Sequence, residues 1–208
     1  MSQCHIESMT KTNAIKTVCV YCGSGPGTDP QFMQAATALG KSFAEAGIRL
    51  VYGGGSIGLM GAVANGVLDH GGKVTGIIPD FLTRRENALD RAQELIVTKN
   101  MHERKQLMFE HSDAFVALPG GIGTLEELVE QMTWAQLGRH TKPVLLANIA
   151  NFWDPLLSLL AHMRQTEFIR QGLVVNFLTA NRVEDIVPKL RAAAQPASAP
   201  AEAVTAQM

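Results

Sequence analysis

The residues best suited by type and spacing to do chemistry lie in the string Pro119-Gly120-Gly121-Ile122-Gly123-Thr124-Leu125-Glu126-Glu127. Three glycines strip side chains from the turn, and Thr124 is expected to cap a helix whose first-turn amides point back into it. Such a turn takes an anion, and phosphate is the expected occupant. Glu126 and Glu127 follow at once. Acids at a helix start also interact favourably with its dipole, by ~0.3 to 1 kcal/mol each, so their presence alone does not demand catalysis. Two further glycine turns, 22–27 (CGSGPG) and 53–58 (GGGSIG), each follow an apolar run, and both are expected to bring bare amides near an anion. A fourth junction, 100–105, supplies cations instead, through Arg104 and Lys105.

Neither common nucleotide signature is met. A Walker loop ends in Gly-Lys-Ser/Thr, and Gly123-Thr124 lacks the lysine, which argues against NTP hydrolysis. Gly23-Ser24-Gly25 opens like a dinucleotide fingerprint, but Pro26, Gly27 and Thr28 follow in place of a fitting final glycine, which argues against NAD. Cys19-Val20-Tyr21-Cys22 has metal or redox spacing with no second pair to complete it, so its cysteines are assigned to a strand end. The histidines, His102 beside Arg104 included, show no clustered ligand spacing. The expectation is therefore no cofactor and no metal.

Elements that could position these groups follow from the rest of the chain. Its 208 residues, 46% hydrophobic and 18% charged, suffice for one core and are short for two. Lys and Arg number 18 against 19 Asp and Glu, a net charge of -1 that disfavours a nucleic-acid partner. Apolar runs such as 114–119 and 144–147 fall far below the ~20 residues of a membrane span, so no membrane partner is expected. With three cysteines and no secretory signal at the N-terminus, the thiols are expected to be reduced and the address cytoplasmic.

Short aliphatic runs at 17–21, 49–52, 73–78, 94–98, 114–118 and 143–148, with a weaker one near Phe177, alternate with segments of helical periodicity. Helices are expected over 30–46, 59–70, 101–111, 124–137, 155–163 and 183–192. Continuous apolar strands alternating with helices predict an α/β fold, a Rossmann-like doubly wound parallel sheet with helices on both faces. A single domain is expected over 15–191, between a polar N-terminus (1–14) and an Ala/Pro/Ser-rich tail (192–208) that are both expected to be disordered.

The string PGGIGTLEE resembles the PGGxGTxxE motif of the LOG family, the cytokinin riboside 5′-monophosphate phosphoribohydrolases. MHERK at 101–105 is similar to the family's M-H-x-R-K, YGGGSIGLMG at 52–61 to its second glycine loop, and CGSGPG to its first. TWAQLG at 133–138 and KPV at 142–144 continue a resemblance that runs from about 17 to 190. It implies cleavage of the N-glycosidic bond of adenosine 5′-monophosphate, or of its analogues alkylated on the exocyclic amine, to free base and ribose 5-phosphate. It implies Arg104 and Glu127 as the catalytic pair. Glu86, Arg104, Lys105, Gly120, Gly121, Ile122, Gly123, Thr124, Leu125, Glu126 and Thr133 would line the nucleotide site, with Ser24 and Gly54 as further phosphate-side contacts. It also implies a homodimer with the active site near the interface and the helix from Thr124 as the contact.

Elementary chemistry agrees with that assignment. Breaking the bond between ribose and purine builds positive charge on the sugar and negative charge on the departing base. A carboxylate one turn from a phosphate cradle suits the former, and a guanidinium, which stays charged, suits either the latter or the clamping of the nucleotide. Three rivals remain: a non-catalytic nucleotide or phosphate-ligand carrier, as in molybdenum-cofactor carriers of this fold; a lysine decarboxylase, which needs a pyridoxal phosphate lysine in the position of Lys105; and a single-stranded DNA binder, disfavoured by the neutral charge.

Overall fold

The computed structural model describes residues 15–83, 89, 91–170, 172 and 175–194. Seven strands, β1 (Thr17–Tyr21), β2 (Arg49–Tyr52), β3 (Val74–Pro79), β4 (Glu94–Thr98), β5 (Ala114–Ala117), β6 (Val144–Ala147) and β7 (Leu178–Ala180), form one sheet in the order β4-β3-β2-β1-β5-β6-β7. Every pairing is parallel, from Thr17 opposite Arg49 to Ala147 opposite Ala180. The helices are α1 (Pro30–Glu45), α2 (Gly58–Leu68), the single turn α3 (Asp80–Thr83), α4 (Met101–Glu110), α5 (Ile122–Gln136), α6 (Asp154–Gln165) and α7 (Ile186–Ala194). The expected doubly wound α/β fold is what the chain adopts.

Side-chain alternation explains the two layers. On β1, Val18 and Val20 pack with the apolar stripes of α1, α2 and α7, whereas Cys19 and Tyr21 face α4, α5 and α6. Central strands covered on both sides must be apolar at every position, and β1 and β5 are buried almost throughout. The edge strand β4 is the exception, with Leu95 and Val97 open on one side. No helix among the described residues is long and apolar enough to cross a membrane.

Several boundaries differ from expectation by a few residues, among them one end each of α7 and α5. Helix α7 continues through Ala194, so residues 192–194 of the expected tail are helical; three successive alanines have the propensity to prolong it. The expected disordered segments 1–14 and 195–208 lie outside the described residues. Helix α5 starts two residues earlier than Thr124, with a consequence for the site below.

Strand order places that site. From β1 the chain winds outward to β4 on one side and then returns to β5 on the other side. The turns leaving β1 and β5 thus open side by side, in the crevice where doubly wound sheets bind ligands.

Candidate active site

Backbone hydrogen bonds join the three glycine turns at that crevice. The Gly23 amide donates to the Pro119 carbonyl (3.0 Å), and the Gly23 carbonyl accepts from the amides of Leu59 (3.1 Å) and Met60 (3.4 Å). The first two turns are thereby tied together through Gly23. The Leu59 and Met60 amides at the start of α2 are consumed inside the protein.

The third turn is different. Gly121, not Thr124, is the N-cap of α5, and Leu125 N to Gly121 O (3.0 Å) closes the first helical bond. The amides of Ile122, Gly123 and Thr124 are then the orphan donors of a helix start, and they have no partner among the described residues. Gly121, Ile122 and Gly123 are exposed, so these donors face an open crevice. Thr124 is buried with its hydroxyl against Gly120, where any Cβ would strike both that hydroxyl and the Gly23 amide. Only glycine fits at position 120.

Helix α4 brings the cations. Its first turn is held by Asn100, whose side chain accepts from the Glu103 amide (2.9 Å), while Glu103 accepts from the Lys99 amide (2.7 Å). Arg104 and Lys105 follow and both cross to α5. Arg104 Nη1 lies 3.3 Å from Glu127 Oε1, with both side chains 9% exposed, and its Nε donates to the Ile77 carbonyl (3.1 Å) at the end of β3. Met101 Sδ completes the surroundings of Nη1 at 3.8 Å, whereas Nη2 has no partner among the described residues. Lys105 Nζ bonds to Glu126 (2.5 Å) and to Glu130 (3.0 Å). Burial works against that ammonium, but the two carboxylates outweigh it and raise its pKa. Beneath Glu127, burial and then the charge of that acid push the Cys19 thiol up; burial likewise lifts the Tyr21 phenol, so both stay neutral.

Of the residues expected at the site, the structure brings together Arg104, Lys105, Gly120 to Thr124, Glu126 and Glu127. Ser24 is exposed on the first turn, its carbonyl close against Gly58. Gly54 is buried with φ +83°; its carbonyl accepts from the Leu89 amide (3.0 Å), and a Cβ on it would press on Ile78, so its surroundings are those of β3. Leu125 lines an apolar cavity of about 370 Å³ between the third turn and α6, together with Ile122, Trp153 and Leu156. Thr133 is exposed, donates to the Val129 carbonyl (2.7 Å), and lies about 16 Å along α5 from Ile122, given 1.5 Å per residue. Within one chain it does not reach the turn. Glu86 falls outside the described residues. The Ile77 carbonyl, Met101 and Glu130 were missed by the sequence reading. A backbone acceptor leaves no trace in a sequence, but Glu130, four residues after Glu126, was legible as its neighbour on the helix surface.

Residues 60–190 match the family described as "Possible lysine decarboxylase". The chain is 46% identical over 180 residues to "Cytokinin riboside 5′-monophosphate phosphoribohydrolase LOG" of Oryza sativa subsp. japonica, covering 86% of this chain and 74% of that protein. It is 42% identical over 177 residues to "Cytokinin riboside 5′-monophosphate phosphoribohydrolase" of Rhodococcoides fascians, covering 85% and 89%. Among solved structures, the molybdenum cofactor binding protein of Rippkaea orientalis shares the fold with a TM-score of 0.66 at 25% identity, over 86% of this chain and 97% of that one. The Moco carrier protein of Chlamydomonas reinhardtii does so with 0.64 at 22%, over 86% and 98%. With such identity over most of its length, the chain belongs to the LOG family.

Proposed function

We propose that the protein is a phosphoribohydrolase that cleaves the N-glycosidic bond of adenosine 5′-monophosphate, or of cytokinin riboside 5′-monophosphates alkylated on the exocyclic amine. The observation that carries this reading is a buried Arg104–Glu127 pair one helical turn from three unpartnered amides. The amides of Ile122, Gly123 and Thr124 hold the 5′-phosphate, assisted by the helix dipole. Glu127 then faces the ribose, steadies the cationic sugar and orients water. The glycosidic electron pair leaves with the base, water adds to C1′, and one proton of that water ends on the base. Arg104 stabilises the negative charge that develops there.

Similarity to proteins named phosphoribohydrolases over most of the chain supports the reaction class. The family description as a lysine decarboxylase finds less support, because Lys105 is held as an ammonium by Glu126 and Glu130 and is a poor Schiff-base nucleophile. Thr133 and the exposed apolar residues Ile122, Val129 and Leu137 share the outer side of α5, which supports a homodimer whose second copy meets this face. Cys19, a buried free thiol, suits a cytoplasmic address.

Chromatography of the products from a panel of 5′-monophosphates and their nucleosides tests the proposal. Free base and ribose 5-phosphate should form from the monophosphates alone, since nucleosides lack the group the amides hold. Nucleotide bound but recovered intact would instead favour the carrier function named for the structural neighbours.

A further inference from the structure

At the second glycine turn, the amides of Leu59 and Met60 at the start of α2 are bonded to the Gly23 carbonyl rather than left for a ligand. Gly53, the first residue after β2, is nevertheless constrained. A Cβ there would collide with Arg104 Nη2 and lie 2.9 Å from Met60 Sδ. Its backbone is not left-handed, so conformation does not demand glycine. What the missing methyl leaves is room for one guanidinium. Arg104 is thus gripped on three sides: by the Ile77 carbonyl at Nε, by Glu127 at Nη1, and by the bare Cα of Gly53 at Nη2. The guanidinium is planar and rigid, so a displacement of Nη2 misaligns the other two contacts.

We propose that Gly53 is a positioning residue whose bare Cα forms the socket of Arg104, and that the second glycine turn serves the site through this arginine. Its effect on rate rests on the phosphoribohydrolase reading; its effect on the arginine does not. The test uses full-length protein, the variants Gly53→Ala and Gly53→Ala/Met60→Ala, and two readouts. One is kcat and KM with adenosine 5′-monophosphate. The other is the exchange protection of the Arg104 Nε–H resonance, identified by its loss in Arg104→Lys.

Gly53→Ala should lower kcat by about 100-fold, the cost of a misplacement on the order of 1 Å. KM should change by less than about threefold, because the amides of α5 are untouched. Protection of the Arg104 Nε–H should vanish as its bond to Ile77 breaks. The double variant should stay impaired, since the collision with Arg104 persists when Met60 is trimmed. Recovery of wild-type kcat and protection in that double variant would place the damage at Met60 and overturn the proposal, as would unchanged values in Gly53→Ala. If the wild-type protein releases no ribose 5-phosphate, the reaction reading fails while the Nε–H signal still decides the socket.

Discussion

Arg104 and Glu127 are each almost wholly buried, and neither charge would be tolerated there alone, since desolvating one ion costs several kcal/mol. Their pairing explains why a cationic and an acidic residue that are 23 positions apart occur together. Glu127→Gln keeps the shape and a hydrogen-bond acceptor but removes the charge that would steady the sugar cation. Turnover should fall by at least about 100-fold while nucleotide still binds, as measured by single-turnover kinetics and calorimetry. Undiminished turnover would take Glu127 out of the mechanism. The unpaired guanidinium should also lower the melting temperature, in line with the roughly 3 to 5 kcal/mol lost when one partner of a buried pair is removed.

At the scale of elements, α5 does two jobs with its first two turns: its amides face the crevice and its fourth to sixth residues, Leu125 to Glu127, reach the neighbouring cavity and α4. Ile122 offers a clean way to separate these. It is the first residue of the helix and 82% exposed, and the extended Gly121 before it is compatible with a following proline. Proline is favoured at that position and lacks only the N–H. Ile122→Pro should leave the melting temperature unchanged and raise the Kd for the monophosphate by about 10- to 100-fold, the loss of one charge-assisted hydrogen bond of ~1.5 to 3 kcal/mol. Unaltered affinity with an intact fold would show that the phosphate lies elsewhere.

For the whole molecule, the outer side of α5 is an exposed apolar row: Val129 (42% exposed) and Leu137 (68%) flank Thr133, and a lone chain leaves them wet. Leu137→Glu places a charge in that row. In the proposed homodimer it should favour the monomer in analytical ultracentrifugation and lower turnover with it, because Thr133 would reach a nucleotide site only from the second copy. A wild-type protein that sediments as a monomer with full activity would refute both points.

Much of this protein was legible before any coordinates. Alternation of apolar runs and helical stripes determined seven parallel strands and their helices, because periodicity records which faces are buried, and it located the glycine turns at strand ends. Neighbouring residues such as Gly121 and Glu127 were readable together since one helix joins them. Tertiary structure alone decided which amides stay unpartnered, that Lys105 is neutralised by Glu126 and Glu130, and that Gly53 makes room for Arg104. Those facts depend on backbone carbonyls and on distances between segments remote in the chain. A linear string of side chains encodes them only through the folded sheet that brings β2, β3, α4 and α5 to one crevice.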